Sequence, residues 1–239
     1  MTQVWVPVLL GVLVAVLGIP VGRWLEATTY RKPDEDDVPH PGRRWWVPIV
    51  LGVVSGLVLH RVWFVEDPAV PGWPVAVVLT GTLLLVTLSC VCLAAMDLDV
   101  HRLPDRIMWP TMGVLVGGIT LAALVGGGLD PWLRSVLAAL GSGGFYLLLA
   151  LLSLARGSLA LGLGDVKLAV VLGGVLGWFG WAETVAGIYA GFLVGGLLAV
   201  LLLLARRVSW KGDFAYGPPM MVGALLGLLL APQAVGGLL

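Results

Sequence analysis

The chain has 239 residues, of which 59% are hydrophobic and only 12% are charged, and its formal net charge is zero. Soluble domains carry about a quarter charged residues, so this composition excludes an ordinary soluble protein. The balanced charge gives no electrostatic basis for binding nucleic acid. The two cysteines, Cys90 and Cys92, form a C-x-C pair inside an apolar run, which is not the spacing of a zinc site or a redox centre. We expect no metal and no cofactor.

Long apolar runs recur along the whole chain. Because a helix needs about 20 apolar residues to cross the hydrocarbon of a bilayer, we predict an all-α polytopic membrane protein of about eight transmembrane helices, with residues 1–239 forming a single membrane domain. In chain order the predicted helices are Val4–Val21, Val47–Val65, Trp73–Met96, Ile107–Val125, Trp132–Leu154, Val166–Phe179, Ala182–Ala205 and Pro218–Leu238. No basic residue precedes the first run, so we interpret it as a retained span and not as a cleaved signal peptide.

The basic residues alternate between the predicted loops. The first loop, about residues 23–46, and the third, fifth and seventh loops together hold twelve of the 14 Lys and Arg residues. The other two, Arg61 and Arg134, lie on the opposite side. The positive-inside rule then places the odd-numbered loops in the cytosol and both termini outside. A missed or additional helix would have scrambled this alternation.

The seventh predicted helix carries a stripe of small residues, Gly187, Gly191 and Gly195. Glycines four residues apart let the backbones of two membrane helices approach closely, so we predict a helix-packing face here. Such a stripe also permits contacts between copies of the chain, and the sequence leaves the oligomeric state open.

Two aspartates lie at the ends of predicted helices. Asp97 follows the third apolar run, and Asp165 begins the sixth helix. The predicted topology puts both at the cytosolic face. An acidic side chain inside a membrane segment costs about 2.5–3.5 kcal/mol, so such residues usually have a function. Two neighbouring carboxyls can share one proton, which would let one activate water while the other protonates a peptide carbonyl. The alternative is that Asp165 only caps its helix.

Residues around the two aspartates have simpler candidate roles. Gly162 and Gly164 lack a Cβ and permit a close approach of another segment. Asp105, which follows Pro104, is expected to cap the fourth helix. Lys167 either steadies the Asp165 carboxylate or extends to the interface.

Asp99 lies two residues beyond Asp97, just after the predicted end of the third helix. We expect it to be a solvated loop acid, although it could also meet a basic substrate segment. Helix dipoles favour negative charge at a helix N-terminus and disfavour it at a C-terminus. We therefore predict that Asp165 is the ionised member of the pair and that Asp97 is protonated.

Four ordered elements of the sequence resemble the type IV prepilin peptidases, the GxGD class of membrane aspartic peptidases. They are Gly22–Pro33, Asp97–Pro110 with its Leu103-Pro104-Asp105 triplet, Gly162–Leu168 with its G-x-G-D-x-K-L pattern, and Phe214–Pro219. Together they extend over nearly the whole chain. The resemblance implies that Asp97 and Asp165 are the catalytic residues. Gly162, Gly164, Lys167, Pro104 and Asp105 then belong to the supporting motifs.

The resemblance also implies a substrate and a location. Members of this family remove short basic leader peptides from prepilin or pseudopilin precursors at the cytosolic face of the bacterial cytoplasmic membrane. Many members carry paired CxxC motifs in the first loop, linked to N-methylation of the product. This chain has no cysteine in residues 23–46, so we expect a peptidase without methyltransferase activity. Met108 replaces the family's Thr in the second element. The sequence does not identify which prepilin is cleaved.

Two other interpretations compete with a peptidase. A cation-coupled transporter could use Asp97 and Asp165 as an ion site, since intramembrane acids mark such paths. Transporters often contain an inverted repeat and acids near the middle of the membrane, whereas these acids are predicted at an interface. A structural subunit of a secretion machine would not need either carboxylate.

Overall fold

The computed structural model describes residues 5–32, 35, 38–155, 162–204 and 215–236, and the regular secondary structure in these ranges is helical. The helices are α1 (Trp5–Leu17), α2 (Ile19–Glu26), α3 (Trp46–Trp63), α4 (Trp73–Val100), α5 (Asp105–Ala122), α6 (Leu129–Ala155), α7 (Leu163–Phe179), α8 (Trp181–Leu204) and α9 (Gly217–Gly236). A π-helical turn, Ala123–Gly127, connects α5 to α6. Some residues of the predicted fifth and seventh loops and of the last motif lie outside the described residues: Arg156, Arg206, Arg207, Lys211 and Phe214.

Helices are present at all eight predicted positions, which confirms an all-α polytopic membrane fold. Within the described residues, six stretches are long and apolar enough to cross a membrane: Trp5–Glu26, Trp46–Trp63, Trp73–Val100, Asp105–Gly127, Leu129–Ala155 and Trp181–Leu204. The other two predicted helices are α7, with 17 residues, and α9, which is apolar over Gly217–Ala231. Both α7 and α9 begin beside a predicted catalytic aspartate.

The first predicted span is divided into α1 and α2 at Gly18, which is the N-cap of α2. Pro20 explains the division, because proline has no N–H to donate and its ring clashes with the carbonyl four residues earlier.

α4 extends four residues beyond the predicted end at Met96 and finishes at Val100. His101 stops the helix in the left-handed conformation, with φ of 49°, and its N–H donates to the Asp97 carbonyl. Such a left-handed residue is a common helix terminator. Consequently Asp97 and Asp99 both lie within the last turns of a helix, and the prediction that Asp99 belongs to a loop was wrong.

Glycines bring two pairs of neighbouring helices into close contact. A Cβ on Gly173 of α7 would stand 2.6 Å from the Cβ of Ser142 on α6. Likewise, a Cβ on Gly227 of α9 would stand 2.6 Å from the Cα of Gly187 on α8. The predicted packing face on the seventh helix is therefore confirmed, with α9 as its partner. These contacts fix α7 and α9, the helices whose N-termini build the candidate site.

Candidate active site

Asp97 is buried at the end of α4 and is joined to the beginning of α9. The residue is only 5% exposed. The backbone N–H of Gly217, the first residue of α9, donates to Asp97 Oδ2 over 3.0 Å. This contact satisfies one of the unpaired N–H groups of a helix N-terminus. It also exposes the Asp97 carboxylate to the positive end of the α9 dipole.

Asp165 is half-buried in the first turn of α7. Its Oδ2 accepts a hydrogen bond of 3.0 Å from the N–H of Gly162, the N-cap residue of that helix. Because glycine has no side chain, only this half of a capping box exists. Asp165 is thus the third residue of α7 and stabilises the beginning of the helix, but it is not the N-cap residue.

Leu103 lies between the starts of α7 and α9. A Cβ on Gly164 would stand 3.0 Å from the Leu103 Cβ, and a Cβ on Gly217 would stand 3.6 Å from the Leu103 Cδ2. The two helix N-termini therefore pack around one buried side chain. This packing brings Asp97 and Asp165 close enough for the charge of Asp97 to act on Asp165.

Two tyrosines complete the surroundings of Asp165. Tyr146 of α6 is buried, and Tyr216 immediately precedes α9. Their ring centroids lie 6.4 Å apart, and the two hydroxyls interact electrostatically with each other and with Asp165. Burial raises the pKa of Tyr216, so its hydroxyl keeps its proton at neutral pH. Leu103 and Tyr216 lie in two of the motifs identified in the sequence, but neither was given a role there, and Tyr146 was not identified. None of the three carries a charge that would have drawn attention to it.

Comparisons with known proteins identify the family of the chain. A family model described as the type IV leader peptidase family matches residues 83–205, which contain both aspartates. The chain belongs to the type IV leader peptidase family. Curated members named prepilin leader peptidase/N-methyltransferase are similar to it. The protein from Aeromonas salmonicida is 32% identical over 164 residues, which are 66% of this chain and 50% of the relative.

Two further relatives carry the same name. The protein from Pseudomonas aeruginosa is 28% identical over 155 residues, covering 64% of this chain and 50% of the relative. The protein from Dickeya chrysanthemi is 31% identical over 169 residues, covering 69% of this chain and 55% of the relative. The chain therefore spans about half the length of these leader peptidases. No solved structure matches it.

The supporting residues of this family member are arranged differently from the prediction. Lys167 forms an ion pair of 2.5 Å with Asp105 and lies 5.4 Å from the ring centre of Trp109. Among the hydrogen bonds and ion pairs of the described residues, none joins Lys167 to Asp165. Asp105 is the first residue of α5, and Pro104, which has no capping side chain, occupies the N-cap position. Asp105 therefore ties α5 to α7 through Lys167, and the expectation that it caps α5 was wrong.

Asp99 is not a solvated acid in the structure. Its side chain is 3% exposed and accepts hydrogen bonds from Tyr30 and from Arg31, whose guanidinium approaches to 2.7 Å. The Arg44 guanidinium lies 3.7 Å away. Burial and the Asp99 carboxylate raise the pKa of Tyr30, so its hydroxyl remains a donor. This network, which we call the loop-one anchor (Tyr30, Arg31, Arg44 and Asp99), fastens the first loop beside Asp97.

Metal ligands do not cluster at this site. Within the described ranges, no three His, Cys, Asp or Glu side chains are grouped so that they could hold an ion.

Proposed function

We propose that this chain is a membrane aspartic endopeptidase that removes the short basic leader from prepilin or pseudopilin precursors. The observation that carries the proposal is the packing around Leu103, which brings two carboxyls from different helices to one site. Membership of the leader peptidase family and the names of the relatives support the substrate class. Because the chain spans only about half of those relatives, the activity and the substrate remain proposals.

In the proposed reaction the two aspartates hold one proton between them. The ionised carboxylate takes a proton from water as the water oxygen bonds to the scissile carbonyl carbon. The protonated carboxyl gives its proton to the carbonyl oxygen, which forms a neutral tetrahedral diol. When the C–N bond breaks, a carboxyl donates a proton to the departing amine, and the diol loses a proton as the new carboxylic acid forms. Both carboxyls return to their starting state, so the cycle is balanced.

Helix dipoles act on both carboxyls of the pair. From the sequence, only the C-terminus of α4 is known to lie at Asp97, and on that basis Asp165 is the expected ionised partner. The N–H of Gly217 adds the N-terminus of α9 on the other side of Asp97. Both carboxyls therefore face the positive end of a helix. Since such close groups titrate together, we assign the shared proton to the pair.

The proposed orientation places the site at the cytosolic face of a bacterial inner membrane, with both termini outside. The alternation of basic loops supports it. We further propose the peptidase reaction without N-methylation, because residues 23–46 contain no cysteine. Methyl transfer from labelled S-adenosylmethionine to the cleaved product would contradict this second point.

Cleavage of a prepilin-like substrate by the purified protein tests the function. We expect Asp97→Asn and Asp165→Asn each to abolish cleavage, measured by a gel shift and by the mass of the new N-terminus. Asp130→Asn is the matched control. Asp130 is an exposed carboxylate at the start of α6, whereas the other end of α6 leads to α7. Retained cleavage in either dyad variant would overturn the mechanism, and absence of cleavage by the wild-type protein would overturn the function.

A further inference from the structure

A groove with a cavity volume of about 230 Å³ runs along the side of the helix bundle. Its walls are α3 and α9, and its floor is formed by α4 and α7. Nearly all of its lining side chains are apolar, among them Val54 on α3, Val91 and Leu98 on α4, and Pro218 and Val222 on α9. We call it the lateral groove. None of the residues that carry the proposed chemistry lies within it.

One end of the lateral groove opens beside the carboxyl pair. Leu98, which is 53% exposed, directly follows Asp97 in the chain. Pro218 directly follows Gly217, whose N–H holds Asp97. The groove mouth is therefore built from the neighbours of both partners in that hydrogen bond. A chain leaving the site on this side passes directly into the groove.

At the other end of the lateral groove, a hydrogen bond joins α3 to α9. Arg61 of α3 donates from Nε to the carbonyl of Leu228 on α9 over 3.1 Å and so joins the two walls. On the floor, lining residues of α4 extend from Leu83 to Leu98, which is about 22 Å of helix at 1.5 Å per residue. The hydrocarbon core of a bilayer is about 30 Å thick. The groove thus follows most of the membrane thickness and ends on the side away from the carboxyls.

We propose that the lateral groove binds an apolar transmembrane helix of the substrate, the segment that follows the scissile bond. The proposal rests on the proposed function, in which the short basic leader stays on the water side of the carboxyl pair. The remaining chain must then enter at Leu98 and Pro218. In lipid, a segment has to satisfy its own backbone hydrogen bonds, and this requires a helix. The apolar lining selects apolar side chains on that helix.

The size of the lateral groove defines how the helix is held. A cavity of about 230 Å³ accommodates side chains from one face of a helix, not the whole helix. The substrate helix therefore lies across the opening between α3 and α9 and inserts residues spaced three and four apart. Its other faces remain in contact with lipid. Recognition by packing of this kind depends on shape and tolerates different apolar sequences.

Photocrosslinking distinguishes a substrate helix from the other possible occupant, a lipid acyl chain. A photoreactive benzoylphenylalanine replaces Val54 or Val222 in the groove. The control position is Val116, an exposed residue of α5 that lies outside the groove. The Asp97→Asn/Asp165→Asn background keeps the substrate uncut, and the same probes in the wild-type background check that the complex is unchanged. We expect the apolar segment of a prepilin-like substrate to crosslink at Val54 and Val222 and not at Val116. Lipid adducts alone, or equal crosslinking at Val116, would overturn the proposal.

Kinetics supply an independent test. We expect Val222→Trp to fill the groove and to raise KM at least tenfold for a substrate with its full apolar segment, with kcat changed less than threefold. A substrate truncated shortly after the scissile bond should have the same kcat/KM with Val222→Trp as with the wild type. Val116→Trp should leave KM and kcat unchanged for both substrates. If the wild type cleaves and Val222→Trp leaves KM unchanged, the groove proposal fails while the peptidase stands; if nothing is cleaved, the proposed function fails.

Discussion

Asp97 and Gly217 are joined by a hydrogen bond of 3.0 Å, although 120 residues separate them in the chain. The contact connects the end of one membrane helix to the start of another and holds a buried carboxylate in place. It needs a residue without a side chain, because a Cβ on Gly217 would stand 2.8 Å from Asp97 Oδ2. The position of Asp97, one of the two proposed catalytic carboxyls, therefore depends on a residue outside its own motif.

Gly217→Ala is expected to impair catalysis more than stability. The added methyl group displaces the Asp97 carboxylate from its N–H donor, and a hydrogen bond to a charged group contributes about 1.5–3 kcal/mol, or about ten- to a hundredfold in kcat. Cleavage assays and thermal unfolding in detergent measure the two effects. Gly196→Ala on α8 is the control, because a Cβ there meets nothing within 4 Å. Equal loss of activity in both variants would contradict the explanation.

The two glycines of the G-x-G-D motif are expected to differ in their tolerance of alanine. At Gly164 a Cβ would stand 3.0 Å from the Leu103 Cβ, so Gly164→Ala overpacks the site at a cost of about 1–3 kcal/mol. At Gly162 the nearest atom would be 3.7 Å away, and φ of −79° suits any residue. Gly162→Ala should therefore keep near wild-type cleavage and unfolding temperature. The prediction fails if Gly162→Ala is the more damaging change.

The position of the carboxyl pair could be predicted from the sequence, but the contacts that hold it could not. From the apolar runs and the distribution of basic residues, Asp97 and Asp165 are predicted to lie at one face of the membrane. Their neighbours in space come from distant segments, such as Gly217, and no local pattern encodes those contacts. The site was predictable because a charged residue in an apolar run has few explanations, whereas Leu103 resembles any other leucine.

The contacts of Asp99 also could not be predicted from the sequence. The end of α4 was predicted too early, because the chain continues as a helix until His101 takes up a left-handed conformation. With the helix extended, Asp99 points to Tyr30 and Arg31, which lie 69 and 68 residues away. The composition of the polar segments does not show which acidic residue pairs with which basic residue. Their pairing depends on how α2 and α4 pack.

Asp99→Asn is expected to release the loop-one anchor. The Arg31 and Asp99 side chains are 8% and 3% exposed, and breaking a buried ion pair costs about 3–5 kcal/mol. Limited proteolysis between residues 32 and 45 should become faster, and the unfolding temperature should fall. Cleavage of substrate should decrease less than with Asp97→Asn, because Asp99 touches no reacting atom in the proposed mechanism. Unchanged proteolysis of the first loop would contradict this role.

Lys167 and Asp105 are expected to contribute little. Their side chains are 29% and 60% exposed, and surface ion pairs are worth about 0–1 kcal/mol. A double-mutant cycle with Lys167→Met and Asp105→Asn measures the coupling in thermal unfolding and in kcat/KM. We expect a coupling below about 1 kcal/mol in both. A loss of activity with Lys167→Met that Asp105→Asn does not share would instead indicate that Lys167 acts on Asp165 when substrate is bound.

Arg61 is expected to be the most important basic residue for stability among those described. It is 1% exposed, it pairs with Asp67, and its guanidinium lies 3.9 Å from Glu183 and 4.6 Å from the ring centre of Phe179. Arg61→Met would leave two buried acids without their partner, at a cost of about 3–5 kcal/mol. Thermal unfolding should show a large decrease, and Arg61→Lys should recover only part of it because an ammonium lacks the planar fork of donors. Arg23→Met, which changes an exposed arginine of α2, is the control, and an equal decrease there would contradict the prediction.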